Sequence, residues 1–130
     1  MKALLLVMAG SALGGGARYL VTTTTTRWFG TGFPIGTGVV NVVGSFVLVL
    51  LLALTATGAT DDDDAAINMR LFFATGVLGG FTTYSSFNAE TIKLVQDGAV
   101  GLAAFNVVAT VVLCLLAGLA ALAVARALAP

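Results

Sequence analysis

Three runs of this sequence place polar side chains among residues that are almost all apolar, and their spacing limits what they can do. Gly38, Asn41 and Ser45 recur at i, i+3, i+7, and Asn106, Thr110 and Cys114 at i, i+4, i+8. On a helix each set falls on one face. Neither stripe is charged, and both present groups that donate hydrogen bonds. The third run is Gly79-Gly80-Phe81-Thr82-Thr83-Tyr84-Ser85-Ser86-Phe87-Asn88-Ala89-Glu90. Two glycines followed by β-branched and hydroxyl residues make a poor helix. A helix broken at membrane depth persists only where its freed backbone groups are buried in protein or line a cavity. The carbonyls released by such a break suit a hard cation. Tyr84 and Phe87, three apart, project together, and the positive edge of an aromatic ring faces an anion without any formal charge. Glu90 follows one turn later, near the membrane boundary, where a role in a pathway and a pairing with Lys93 are equally open. Interhelical packing, worth about 0.6 kcal/mol per polar residue, explains each stripe taken singly. Two parallel stripes together point to a path for a small ion.

Enzyme chemistry finds no foothold. The chain has no histidine, no nucleophile paired with a base, no cluster of metal-ligating side chains and no phosphate loop. Gly14-Gly15-Gly16 lacks the strand and the acidic residue that a dinucleotide loop requires. Cys114 is the only cysteine, so no intrachain disulfide forms. It sits between Leu113 and Leu115 as a small packing residue.

The elements that carry these residues follow from composition. Of 130 residues, 58% are hydrophobic and 9% charged, and the mean hydropathy is +1.04. Soluble domains carry roughly 25% charged residues, so six basic and six acidic side chains leave most of this surface for lipid. Six scattered basic residues exclude a nucleic-acid footprint, which needs clustered Lys and Arg. A membrane span takes about 20 mostly apolar residues, and four segments qualify: residues 3–24, 34–56, 66–94 and 99–125. The expected architecture is an all-α membrane protein, one four-helix transmembrane domain over residues 1–130, with a broken third helix. Lys2 and the apolar run after it resemble a secretory signal peptide, a reading that three further spans disfavour. Arg27, Trp28, Phe29 and Phe33 mark an interfacial connection between the first two spans. The acidic run 61–64 solvates the next loop and favours the N-terminus of the third helix, and Gln96-Asp97-Gly98 forms the turn before the fourth.

Charge placement bears on orientation. With four spans, Lys2, Arg70 and Arg126 fall on one side of the membrane and Arg18, Arg27 and Lys93 on the other. Basic residues near span ends set topology, and a three-to-three balance sets none. Such a chain inserts both ways, and opposite copies then pair as an antiparallel dimer. Gly10 with Gly14, and Gly76 with Gly80, fit the small-xxx-small pattern of close helix contacts, within the chain or between copies.

These residues resemble the Fluc (also called CrcB) fluoride channels of microbes. The likeness spans nearly the whole chain: Gly14-Gly15-Gly16-Ala17-Arg18-Tyr19 in the first span, Gly36-Thr37 and Asn41-Val42-Val43-Gly44-Ser45-Phe46 in the second, and the run 79–87 in the third. The resemblance implies an antiparallel, dual-topology dimer with two pores in a prokaryotic plasma membrane, exporting fluoride passively. It implies a structural sodium ion at the dimer centre, held by the backbone carbonyls of Gly79 and Thr82 of each subunit. The fluoride path it implies is Asn41, Tyr84, Ser85, Ser86, Phe87, Glu90, Asn106 and Thr110, with Cys114 as an extension and Arg18 in the vestibule. Two positions depart from the family pattern: Tyr84 stands where many members have phenylalanine, and Asn106 where some have tyrosine. A homodimer is expected, with a pair of unlike chains as the variant. The rivals are a small dual-topology exporter of another ion or organic cation, which would carry a carboxylate in its first span, and a non-conducting assembly subunit.

Overall fold

The computed structural model describes residues 1–56 and 64–128. Those residues are helical apart from short connections. The elements are α1 (Lys2–Phe29), α2 (Ile35–Ala56), α3 (Asp64–Met69), a π-helical stretch (Arg70–Leu78), α4 (Gly79–Phe81), α5 (Tyr84–Gln96) and α6 (Val100–Leu128). Among the described residues, α1, α2 and α6 are each long and apolar enough to cross a membrane. Residues 61–63 of the acidic run lie outside the described residues, and Asp64 opens α3.

The first helix runs past residue 24 and takes Arg27, Trp28 and Phe29 into its last turn. Its threonine run stays helical, with the hydroxyls bonded backward. Thr22 Oγ1 donates to Arg18 O at 3.0 Å, Thr23 Oγ1 to Tyr19 O at 2.7 Å and Thr25 Oγ1 to Val21 O at 2.8 Å. Threonine's usual competition with the helix is thereby turned inward on the helix itself. Pro34 precedes α2 and its carbonyl accepts from Gly38 N at 3.2 Å, which suits a residue with no N–H to lose. The turn into α6 uses Gly98 at φ 77°, a left-handed conformation that costs glycine nothing.

Packing is dominated by two helix pairs, α2 against α6 and α1 against the π-helical stretch and α4. The second pair depends on glycine. A Cβ on Gly10 would lie 2.9 Å from Gly76 Cα, and one on Gly80 would lie 2.9 Å from Ser11 Cα. A Cβ on Gly14 would meet the Val77 carbonyl and lie 2.8 Å from Phe81 N. Both glycine pairs singled out by their spacing therefore serve contact within one chain. Backbone approaches backbone there with no side chain between, as membrane helices do when no hydrophobic drive brings them together. The outer faces stay apolar. Leu113, Leu115, Leu116 and Leu119 of α6 are all exposed, while Val40 and Ala121 are fully buried. Exposed leucine on this scale needs an apolar surrounding or a partner.

Arg70 closes the far end of the bundle. Its Nη2 donates to Thr55 O at 2.6 Å and its Nε to Thr55 Oγ1 at 3.2 Å. A cation on the last carbonyls of α2 is favoured by the helix dipole.

Gly14→Ala is expected to lower stability by about 2 kcal/mol, the scale of overpacking at a tight contact. Gly101→Ala, where a Cβ meets nothing within 4 Å, should leave it unchanged or raise it by up to about 1 kcal/mol. Thermal unfolding of the detergent-solubilised chain by circular dichroism compares the two, and equal melting temperatures would contradict the glycine contact.

Candidate functional site

The helical run stops at Phe81. Thr82 (φ −77°, ψ 157°) and Thr83 (φ −155°, ψ 115°) are extended, and Tyr84 restarts a helix. An interruption in apolar surroundings strands backbone groups, and each must find a partner. Asn41 of α2 supplies two. Thr83 N–H donates to Asn41 Oδ1 at 2.8 Å, and Asn41 Nδ2 donates to Thr83 O at 3.0 Å. One side-chain amide thus pairs with the extended residue much as a neighbouring strand would. The Thr83 side chain, 7% exposed, caps α5: its Oγ1 accepts from Ser86 N at 3.2 Å, the usual threonine N-cap bond.

One turn toward the other end, the same two helices meet again. Thr37 Oγ1 donates to Glu90 Oε1 at 2.8 Å. Thr37 and Asn41 stand at i, i+4 on α2; Thr83, Ser86 and Glu90 stand at i, i+3, i+7 across the start of α5. Two polar rungs, Asn41–Thr83 and Thr37–Glu90, therefore cross between facing stripes. Glu90 Oε2 is buried with no protein partner among the described residues. Glu90 does not pair with Lys93, whose Nζ lies 2.8 Å from Asp97 Oδ2 in an exposed ion pair.

A cavity opens at each rung. One of about 450 Å³ is lined by Thr22, Thr25, Thr26, Thr37, Glu90, Lys93 and Asp97 among others. The other, about 410 Å³, is lined by Asn41, Ser45, Thr82, Thr83, Tyr84, Phe87, Thr110 and Cys114 with flanking leucines and valine. Tyr84 and Phe87 do come together, their ring centroids 5.6 Å apart at 50°. Phe87 is buried at 8% exposure, while Tyr84 is 77% exposed.

The stripe expected on the fourth span divides. Thr110 and Cys114 border the second cavity. Asn106 is buried and donates from Nδ2 to Thr91 Oγ1 at 2.9 Å, which itself donates to Phe87 O at 2.7 Å. That chain of bonds fixes α6 on α5 at the turn holding Phe87. Ser85 is exposed and Ser86 half-buried, and both hydroxyls meet Thr83 Oγ1. Ser45 Oγ donates back to Asn41 O at 2.7 Å. Arg18, expected in a vestibule, reaches the interruption, where its Nη1 donates to Thr82 O at 3.3 Å.

Sequence reasoning missed Thr37, Thr83 and Thr91 as working side chains. Thr37 was legible as the residue four before Asn41. Thr83 and Thr91 gave no signal apart from the polar character of their run.

The carbonyls expected to hold a cation can be tested on the same bonds. Among the described residues no group of three or more His, Cys, Asp or Glu side chains comes together. In a continuous helix Thr83 N–H would bond Gly79 O, but here it goes to Asn41, so Gly79 O loses that donor. Thr82 O accepts from Arg18 and, as a carbonyl, keeps a second lone pair. Neutral carbonyl oxygens are the donor type a hard monovalent cation takes, and at Thr82 O such an ion would share the oxygen with the Arg18 guanidinium.

Comparison with known proteins follows the same residues. The family model described as "CrcB-like protein, Camphor Resistance (CrcB)" matches residues 5–122. The chain is 51% identical over 129 residues to a "Fluoride-specific ion channel FluC" of Anaeromyxobacter sp. (strain K), covering 99% of both chains. It is 47% identical over 121 residues to the protein of that name from Agrobacterium fabrum, covering 93% of this chain and 94% of the relative. A relative of that name from Caulobacter vibrioides is 45% identical over 127 residues, 97% of each chain.

Asn41→Leu leaves a buried N–H and C=O of Thr83 unpaired, at about 1–3 kcal/mol for each. Asn106→Leu removes one bond, and Thr91 retains its own to Phe87. Asn41→Leu is therefore expected to lower the melting temperature clearly more than Asn106→Leu in the same detergent. The reverse order would mean that Asn41 does not hold the interruption.

Proposed function

The chain belongs to the CrcB-like protein family, and from that premise we propose that it is a fluoride-selective channel of a prokaryotic plasma membrane. The observation that carries the reading is near-full-length identity of about half to relatives named as fluoride-specific ion channels. The geometry adds a reason of its own. Fluoride is small and strongly hydrated, so a pore must replace its water with donors. The two rungs and the cavities beside them gather hydroxyls, an amide and the rings of Tyr84 and Phe87, with the Glu90 carboxylate at one rung and Lys93 and Asp97 on the wall of its cavity.

The path we propose enters at the Thr37–Glu90 rung and passes Ser86 and Ser85. It then crosses Tyr84 and Phe87 beside Asn41 and leaves along Thr110, with Asn106 holding α6 in register. Flow is passive: fluoride that entered the cell as HF and dissociated there leaves down its gradient. Binding by neutral donors at successive positions lets the ion leave as readily as it enters.

We read α3, the π-helical stretch, α4 and α5 as one third span broken at Thr82–Thr83. The working unit is an antiparallel homodimer with two pores. Tyr84, 77% exposed beside a buried Phe87, supports a second copy covering that face. A sodium ion at the centre of the dimer would be held by the Gly79 and Thr82 carbonyls of each copy. It would supply positive charge to oxygen lone pairs that the break leaves without helical donors.

Reconstituted alone in liposomes, the purified chain is expected to release fluoride fast and chloride not at all. Phe87→Ile should cut fluoride efflux by about tenfold or more, equivalent to about 1.4 kcal/mol. Flux that strictly required a proton or sodium gradient would replace the channel with a coupled exporter. No flux from folded protein would point to a subunit that needs an unlike partner.

A further inference from the structure

At the interruption, Thr83 uses every polar atom it has, and the uses have a direction. Its N–H and C=O both go to Asn41. Its Oγ1 accepts from Ser86 N at 3.2 Å, donates to Ser86 Oγ at 3.1 Å and lies 3.2 Å from Ser85 Oγ. A threonine hydroxyl has one proton. With that proton on Ser86, the contact with Ser85 must be donated by Ser85. Ser85 therefore spends its proton inward. Ser86 accepts from Thr83 and keeps its own O–H free.

Asn41 is sorted in the same way. Its Oδ1 is covered by Thr83 N–H, and one of its two Nδ2 protons is taken by Thr83 O. What remains is a second N–H beside the cavity that Asn41 lines. Among the described residues no protein acceptor meets that N–H or the Ser86 O–H. Ser86 lies between the two rungs, one turn before Glu90 and three residues after Thr83, and Asn41 borders the second cavity.

We propose that Thr83 is a positioning residue that sets hydrogen-bond polarity. It turns the acceptor oxygens of Asn41 and Ser86 toward itself and leaves donors facing the ion. An anion then meets N–H and O–H groups in succession, with no fixed positive charge needed to attract it. The inference rests on the fluoride-channel reading and gives that path a source of anion preference.

The test is fluoride efflux from liposomes carrying the full-length chain, scaled to protein that elutes as a single folded species. Thr83→Val keeps the shape and deletes the hydroxyl. It is expected to cut efflux by about tenfold, the scale of one well-made hydrogen bond. Thr83→Ser restores the hydroxyl and should restore most of the flux. Ser86→Ala should cost more than Ser85→Ala, because only Ser86 has a free proton. If Thr83 acts through Ser86, adding Ser86→Ala to Thr83→Val costs little more, whereas independent roles would multiply the two losses. A folded Thr83→Val that conducts like the wild type, or losses that multiply, overturns the proposal. Should Thr83→Val fail to fold, Thr83→Cys, whose S–H is a weak donor, takes its place. Intermediate flux supports the proposal, and wild-type flux overturns it. A wild-type chain that moves no fluoride sinks the channel reading and this inference with it, while a conducting wild type with an indifferent Thr83 sinks the inference alone.

Discussion

A backbone that leaves the helix among apolar helices must be met by other protein groups or line a cavity, and here that demand falls on two residues. Thr82 and Thr83 are extended, so the groups around them lose their i→i+4 partners. Asn41 answers with a paired bond to Thr83, Arg18 with a bond to Thr82 O, and the Thr83 side chain with the cap on α5. These partners come from α2, from α1 and from the interruption itself. The interruption is tolerable only while α1 and α2 both stand against it, so the helix packing and the site are one structural problem.

That dependence explains the glycines. Arg18 reaches Thr82 because α1 lies against the third helical run without intervening side chains, at Gly10, Gly14, Gly76 and Gly80. On the other side, a Cβ on Gly44 would meet the Thr82 methyl group, so α2 also approaches the break closely, one turn from Asn41. The π-helical stretch before the break belongs to the same arrangement. Its i→i+5 bonding changes the register of the run that carries Gly76, and such stretches occur often at functional sites.

Much of this was legible in the residues. Long apolar segments announced the long helices, and the run from Gly79 to Glu90 read as poor helix; Thr82 and Thr83, which are extended, lie within it. The pairing of Tyr84 with Phe87 followed from a spacing of three. What could not be read was which partner each polar group chooses. Asn41 looked like a pathway residue, yet its amide first satisfies Thr83. Asn106 sits on the stripe with Thr110 but points its amide to Thr91. Glu90 had Lys93 three residues away and took Thr37 from another helix. Spacing along one helix gives the face a residue occupies; the partner depends on which helix that face meets, and that is set by packing far along the chain. The π-helical stretch had no signature in composition at all.

Beyond the Glu90 rung, the proposed ion path is built from neutral groups. Arg18 is held on Thr82 O, Arg70 on Thr55, and Lys93 on Asp97. Each of these cations lies against a fixed acceptor, so none hangs free in the space between the rungs. A free guanidinium facing fluoride in a low-dielectric site would attract it strongly, since the Coulomb energy of a unit pair at 4 Å rises from about 1 kcal/mol in water to about 4 kcal/mol at an effective dielectric of 20. Tight binding of that order slows release and turns a conduit into a trap. Hydroxyl and amide donors cost less to leave, because a single hydrogen bond to a charged group is worth about 1.5–3 kcal/mol and is exchanged for another of the same kind at the next donor. On the proposed path, rapid passage of a strongly hydrated anion asks for many weak donors in fixed directions, and Asn41 and Ser86, both held by Thr83, would supply two of them at the interruption.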